Sequence, residues 1–159
     1  PNRKSCGIMT AGVCAPAVIL DGLRVKAMGY YQPCRELDEC SRLIEEYFKT
    51  GRYEECFQGH LALAEAGYPL AECQVGYFYY EGLGVEKDLS KAFEWMKRAA
   101  EHGDWDAQYN LAEFYEEGVG AEADPELAKY WYQQAAKQSH AQALKKCREL
   151  GVPIDKQKG

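Results

Sequence analysis

The stretch AECQVGYFYYEGLGVEKDLSKAFEWMKRAAEHG, residues 71–103, decides how the rest of the chain is read. Shifted by 36 residues, it meets AQYNLAEFYEEGVGAEADPELAKYWYQQAAKQS, residues 107–139. Phe78/Phe114, Tyr79/Tyr115, Gly82/Gly118, Gly84/Gly120, Asp88/Asp124, Ala92/Ala128, Trp95/Trp131 and Ala99-Ala100/Ala135-Ala136 pair as identities. Val75/Leu111 and Leu83/Val119 pair like for like. A further half unit begins at Ser139, where SHAQALKKC follows GDWDAQYNL, the start of the second copy. Repetition at this period marks stacked helical units, none of which can bury its apolar face alone.

Each unit reads as two helices. Over 70–80, Ala71, Val75, Phe78 and Tyr79 fall on one face at spacings of three and four. Gly82-x-Gly84 ends that helix and makes the turn. Asp88 is the expected N-cap of the second helix and Asp124 its twin, with Pro125 at the first helical position. Over 89–102, Ala92, Trp95 or Phe93, Ala99 and Ala100 point inward, and Gly103 closes the unit. The alanines permit close helix approach, and the Trp is expected to fill the gap between layers. The Gly-x-Gly is not a phosphate loop, because such a loop follows a strand and offers Lys-Ser or Lys-Thr to the phosphate. Here it follows a helix, and the next helix starts at a carboxylate.

The pattern A-x-x-x-L-G-x-x-Y-x-x-G-x-G-V-x-x-D-x-x-K-A-x-x-W-x-x-x-A-A-x-x-G resembles the Sel1-like repeat. It is carried here by Ala71, Val75, Gly76, Tyr79, Gly82, Gly84, Val85, Asp88, Lys91, Ala92, Trp95, Ala99, Ala100 and Gly103. The second copy departs at Ala112, Ala121, Leu127 and Ser139. Upstream, RLIEEYFKTGRYEECFQGHLALAEAGYP is similar to a tetratricopeptide-type helix pair through Leu43, Tyr47, Gly51, Tyr53, Cys56, Leu63 and Pro69, with a shorter turn. The resemblance covers residues 36–150 and implies an all-α fold, a right-handed α-α superhelix of Sel1-like/tetratricopeptide-like helix pairs. The pairs are expected at about 36–67, 70–103 and 106–138, with a capping helix at 140–150, within a repeat domain at 35–151. Residues 1–34 form an N-terminal extension and residues 152–159 a loose polar tail.

The resemblance implies a scaffold or adaptor that holds a protein or peptide on the concave face formed by the first helices. Removing the inward residues from those helices leaves Ser41, Glu45 and Phe48, then Cys73, Tyr77 and Tyr80, then Tyr109, Glu113 and Glu116. That makes a tyrosine-rich groove with an acidic end, and tyrosine suits interfaces through its large face and hydroxyl. Related helix-pair repeats imply that Asn110, with Gln74 one unit earlier, hydrogen-bonds the backbone of an extended ligand. Each tyrosine has packing between helices as its alternative role, and the glutamates have a solvated helix face.

Charge and cysteine content narrow the partners. The net charge is -6. Residues 1–30 carry Arg3, Lys4, Arg24 and Lys26 against Asp21, so the remainder is strongly acidic. An acidic body argues against nucleic acid and favours a basic partner. No apolar run has the length to span a bilayer. The chain has 7 cysteines and 3 histidines without close Cys or His pairs, so no metal or cofactor is expected. Buried, reduced thiols are the favoured state, which points to a reducing compartment such as the cytoplasm. Disulfides among Cys6, Cys14, Cys34 and Cys40 stay open.

No nucleophile–base pair is read from the sequence, so catalysis is not expected. Two alternatives remain. A secreted, cysteine-rich Sel1-like branch is linked to β-lactam binding, with cysteines at the positions of Ala100 and Gln108. Neither is cysteine here, which counts against it. A mitochondrial intermembrane-space assembly factor is the other, and the basic segment leaves it open. Residues 15–28 are expected to form a helix that covers the first pair, or the basic segment 1–30 lies in the acidic groove as an internal ligand.

Overall fold

The computed structural model describes residues 35–154, all-helical with no strand among them. The helices are α1 (Arg35–Leu43), α2 (Tyr53–Glu65), α3 (Pro69–Glu81), α4 (Leu89–Glu101), α5 (Trp105–Glu117), α6 (Pro125–Lys137) and α7 (Ala141–Glu149). A π-helical turn, Ile44–Phe48, extends α1. The expected cap and groove segment within residues 1–34 lies outside the described residues, as do Cys6, Cys14 and Cys34.

Local chemistry sets the helix ends. α3 opens with Pro69 and stops at Gly82, whose φ of 75° is left-handed, and α5 stops the same way at Gly118, φ 72°. The long turns are then tied back, because Asp88 N donates to Tyr79 O at 3.0 Å and Asp124 N to Tyr115 O at 2.9 Å. Asp88 Oδ1 accepts from Lys91 N at 3.0 Å. Asp124 Oδ1 accepts from Glu126 N and Leu127 N, each at 3.0 Å. Such a cap contributes about 1 kcal/mol. α5 and α7 are capped by Asp104 Oδ1, 2.7 Å from Ala107 N, and by His140 Nδ1, 3.2 Å from Ala143 N.

The helices stack in two layers as an α-α superhelix. α1, α3, α5 and α7 form the layer of first helices, where Phe48 meets Phe78 (ring centroids 6.2 Å apart) and Tyr80 stacks on Phe114 (5.6 Å). α2, α4 and α6 form the other layer. The joint between successive pairs recurs. Phe57 packs edge-on against Tyr79 at 5.3 Å, and 36 residues later Phe93 packs edge-on against Tyr115 at 5.2 Å. Each such pair adds about 1 kcal/mol beyond the area it buries. At the same joint Gly84 lies on the backbone of Tyr53 and Glu54, and Gly120 on Leu89 O.

The core departs from the sequence reading at one position. Met96 and Tyr132, not Trp95 and Trp131, fill the space between layers, together with His60 of the first pair; all three are fully buried. The tryptophans are half-buried at the layer edge, where Arg98 sits 5.0 Å over the Trp95 ring. The spacing places 95 and 96 on adjacent faces, and the alanines decide the outcome. Ala92, Ala99 and Ala100 close on α3 and α5 and leave a slot that a flexible thioether fills.

The polar groups between layers differ from one unit to the next. Glu72 is fully buried, with Arg98 Nε at 2.6 Å and His102 Nδ1 at 2.7 Å. The matching places in the second unit are Gln108, Gln134 and Gln138, and there Gln138 Nε2 donates to Gln108 Oε1 at 2.9 Å and to Gly103 O at 3.0 Å.

At the C-terminal end, α7 covers the third face, and Gly151, φ 65°, stops it as the sequence predicts. The tail was expected to be loose, yet its first residues dock. Val152 and Ile154 pack on the last core cluster, and Gln133 Nε2 donates to Pro153 O at 2.6 Å. Apolar side chains at 152 and 154 give that segment something to bury.

Candidate functional site

The layer of first helices is where the sequence places partner binding. Of the expected groove residues, Glu45 and Glu116 are exposed, and Ser41, Phe48 and Tyr80 are half-buried. Cys73, Gln74, Tyr77, Tyr109, Asn110 and Glu113 are buried. The wheel that put them in a groove counted one packed face per helix. In the stack, α3 and α5 each have neighbours on three sides, so α3 is buried continuously from Leu70 to Phe78. Gln74 and Asn110 are enclosed by the stack and do not line an open groove. Glu45 is paired with Lys49 one turn away.

The structure brings three of the expected groups together with two that the sequence reading did not single out. Tyr109 OH donates to Glu113 Oε1 at 2.7 Å, and Tyr132 OH to Glu116 Oε2 at 2.6 Å. Lys146 Nζ on α7 donates to both Glu116 oxygens, at 2.9 and 2.8 Å, and lies 5.5 Å from the centre of the Tyr132 ring. Tyr132 replaces Met96 of the first unit, and Tyr109 replaces Cys73, whose Sγ lies 3.9 Å from Met96 Sδ. The substitution of two tyrosines for a Cys–Met pair was the signal available in the alignment of the two copies.

The two carboxyls are driven apart. Burial raises the Glu113 carboxyl to about 7 against the hydrogen bond from Tyr109 and the charge of Lys146. Burial opposes ionisation of Glu116 too, but its hydrogen bonds from Lys146 and Tyr132 outweigh that and hold it below the usual carboxylate range. Burial and the neighbouring carboxylates push both tyrosine hydroxyls up, so they donate and stay neutral. Chemically, the cluster can hold a cation and store a proton.

Elsewhere, Cys40, Cys56, Cys73 and Cys147 are buried. Cys56 Sγ lies 3.6 Å from His60 Nδ1, a thiol–histidine pair one helical turn apart that the sequence reading missed, but burial pushes the thiol up to about 12 and the imidazole down to about 4, which makes the pair unreactive. No group of three or more His, Cys, Asp and Glu side chains among the described residues is placed to hold a metal ion. No helix among them is long and apolar enough to cross a membrane.

Comparison with known proteins agrees with the repeat. The Sel1 repeat family model matches residues 69–104 and 105–140. A Sel1 repeat protein from Oxalobacter formigenes superposes with a TM-score of 0.65 at 37% identity, over 72% of this chain and 45% of that one. A protective antigen of uropathogenic Escherichia coli displaying an SLR fold gives a TM-score of 0.64 at 26% identity, over 84% of this chain and 29% of that one. Among curated proteins, the chitin synthase regulator SKT5 of Saccharomyces cerevisiae is 43% identical over 50 residues, 31% of this chain and 7% of that protein. Its namesake in Malassezia restricta is 49% identical over 41 residues, 26% of this chain and 3% of that protein. The chain thus spans a small part of the curated relatives it matches. The two matched stretches coincide with the two copies of the 36-residue unit, and the chain carries two Sel1 repeats in an all-helical SLR-type fold.

Proposed function

We propose that this chain is a non-catalytic scaffold that holds a protein or peptide along the outer side of its first-helix layer. The observation that carries the reading is the character of that side: Glu45, Glu116 and Glu117 are exposed and Phe48 and Tyr80 half-buried, so acid and aromatic groups face solvent together. Aromatic faces supply contact area at low entropic cost, and carboxylates select a basic partner. The likeness to stretches of proteins named as chitin synthase regulators supports a role exercised on another protein. A buried Glu113 beside a hydrogen-bonded Glu116 is a poor acid–base pair, because Lys146 and Tyr132 already hold Glu116 and burial leaves Glu113 little contact with water.

The test is affinity capture from the source cell with three baits. These are the wild type, a first-layer variant (Glu45→Lys with Glu116→Lys), and a second-layer variant (Glu94→Lys with Glu126→Lys) carrying the same change of charge. All are checked for folding by circular dichroism. A protein retained by the wild type and the second-layer variant but lost from the first-layer variant supports the reading. Equal retention by all three overturns it.

A further inference from the structure

The Glu113–Glu116 cluster holds two carboxyls and one cation. Glu116 is fully served by Lys146 and the Tyr132 hydroxyl. Glu113 is only 7% exposed, its Oε1 accepts from Tyr109, and its Oε2 has no hydrogen-bond partner among the described residues. A buried acceptor left unserved costs stability, so a group that stays in this condition calls for another explanation than packing. The fold does not require it. The first unit closes the same place with Cys73, Tyr77 and Met96, without an acid or a base.

We propose that Glu113 receives one basic side chain, lysine or arginine, from the partner, seated beside Lys146 against the Glu113–Glu116 pair. The inference rests on the scaffold reading and names the chemistry of its ligand. Lys146 shows how the site takes an ammonium, with two carboxylate oxygens in front of it and the Tyr132 ring beneath. A second cation supplies the missing charge. When it arrives, the O–H bond of the neutral Glu113 carboxyl breaks, the proton passes to solvent and the carboxylate pairs with the newcomer. The groups around Glu113 are Tyr109, Glu116 and Glu117 on its own helix, Tyr132 on α6 and Lys146 on α7. Among them only Lys146 is a cation, and it already belongs to Glu116.

Binding is therefore coupled to loss of one proton. With the carboxyl of the free protein titrating at about 7, affinity for a basic peptide rises about tenfold between pH 6 and pH 8. The experiment follows the Glu113 side-chain carboxyl by carbon-13 NMR in the full chain, with tri-lysine amide, tri-arginine amide and, as control, tri-glutamate. The expected result is a fall of at least one pH unit in the Glu113 midpoint with a basic peptide and none with tri-glutamate. Glu113→Gln abolishes the tenfold gain, and Lys146→Met strengthens binding because the peptide then reaches both carboxylates. Basic peptides that bind without moving the Glu113 midpoint overturn this site and leave the scaffold reading standing. Basic peptides that do not bind wild type or Lys146→Met at either pH overturn the inference too. Loss of the scaffold reading itself would appear instead in the three-bait capture.

Discussion

Replacing Gly120 by Ala separates the cost of a left-handed backbone from the cost of opening the joint between repeats. Gly51, Gly118 and Gly120 share nearly the same backbone, with φ of 77°, 72° and 71°. They differ in surroundings. A Cβ at Gly51 meets nothing within 4 Å, and one at Gly118 meets Ala123 Cβ at an ordinary 3.4 Å. At Gly120 it would overlap Leu89 O and lie 2.7 Å from Phe93 Cβ, on the first turn of α4. The left-handed conformation costs about 1 kcal/mol for Ala. Forcing a methyl into a packed backbone contact adds about 2 kcal/mol. Gly51→Ala and Gly118→Ala should each lose about 1 kcal/mol, and Gly120→Ala about 3 kcal/mol. With a urea slope of about 1.5 kcal/mol/M, the midpoints fall by about 0.7 M and about 2 M. Equal losses in Gly118→Ala and Gly120→Ala would refute the reasoning, because the joint would then yield to a methyl group without resistance.

Met96→Ala empties the slot between α3 and α4 and should cost about 3 kcal/mol in the same assay, more than Trp95→Ala, whose ring is half-solvated. Glu72→Ala removes the acceptor of Arg98 and His102 and should cost more than Glu72→Gln, since glutamine already serves at the matching Gln108; urea midpoints decide the order. The Glu113 carboxyl stays protonated in the fold up to about pH 7, while its unfolded counterpart ionises near 4.3. Its contribution is therefore present at acid pH and is lost, about 3 kcal/mol in all, as pH rises through 7, a loss that urea titrations at pH 5 and 8 should not find in Glu113→Gln. His60 runs the other way: burial lowers it to about 4, so stability falls as pH drops from 6.5 towards 4, and thermal melts of His60→Leu should not show that fall.

The helices, caps and turns were legible because each rests on a residue with few alternatives. Glycine at 82 and 118 meets a left-handed backbone, aspartate at 88 and 124 meets orphan amides, and proline at 125 meets a first helical turn. What the periodicity could not give was how many sides of a first helix are packed. A helical wheel distinguishes two faces, whereas α3 touches α2, α4 and α5 as well as α1, so Cys73, Gln74 and Tyr77 turned from expected groove residues into buried ones. The π-helical turn at Ile44–Phe48 was equally invisible, because no residue type demands it. The cluster around Glu113 was half legible: Tyr109, Glu113 and Glu116 stood out on one helix, but Tyr132 and Lys146 reach them from α6 and α7, and only the stack brings those helices alongside.

The pairing of helices within each unit has a consequence for how the chain assembles. Both repeats offer the same glycines and alanines, so by shape alone the first helix of one unit can pair with the second helix of its twin. Polar chemistry makes the two pairings unequal. A chain that paired α3 with α6 would bury Glu72 against Gln134 and Gln138, a carboxylate with no cation in reach, and one that paired α5 with α4 would set Arg98 and His102 against an amide. An uncompensated buried charge costs about 3–5 kcal/mol, more than any single joint contributes. The pairing of Glu72 with Arg98 and His102 thus acts as a proofreading lock: it lets near-identical building blocks condense in one order only, and it guards a repetitive sequence against the misassembly to which such sequences are prone.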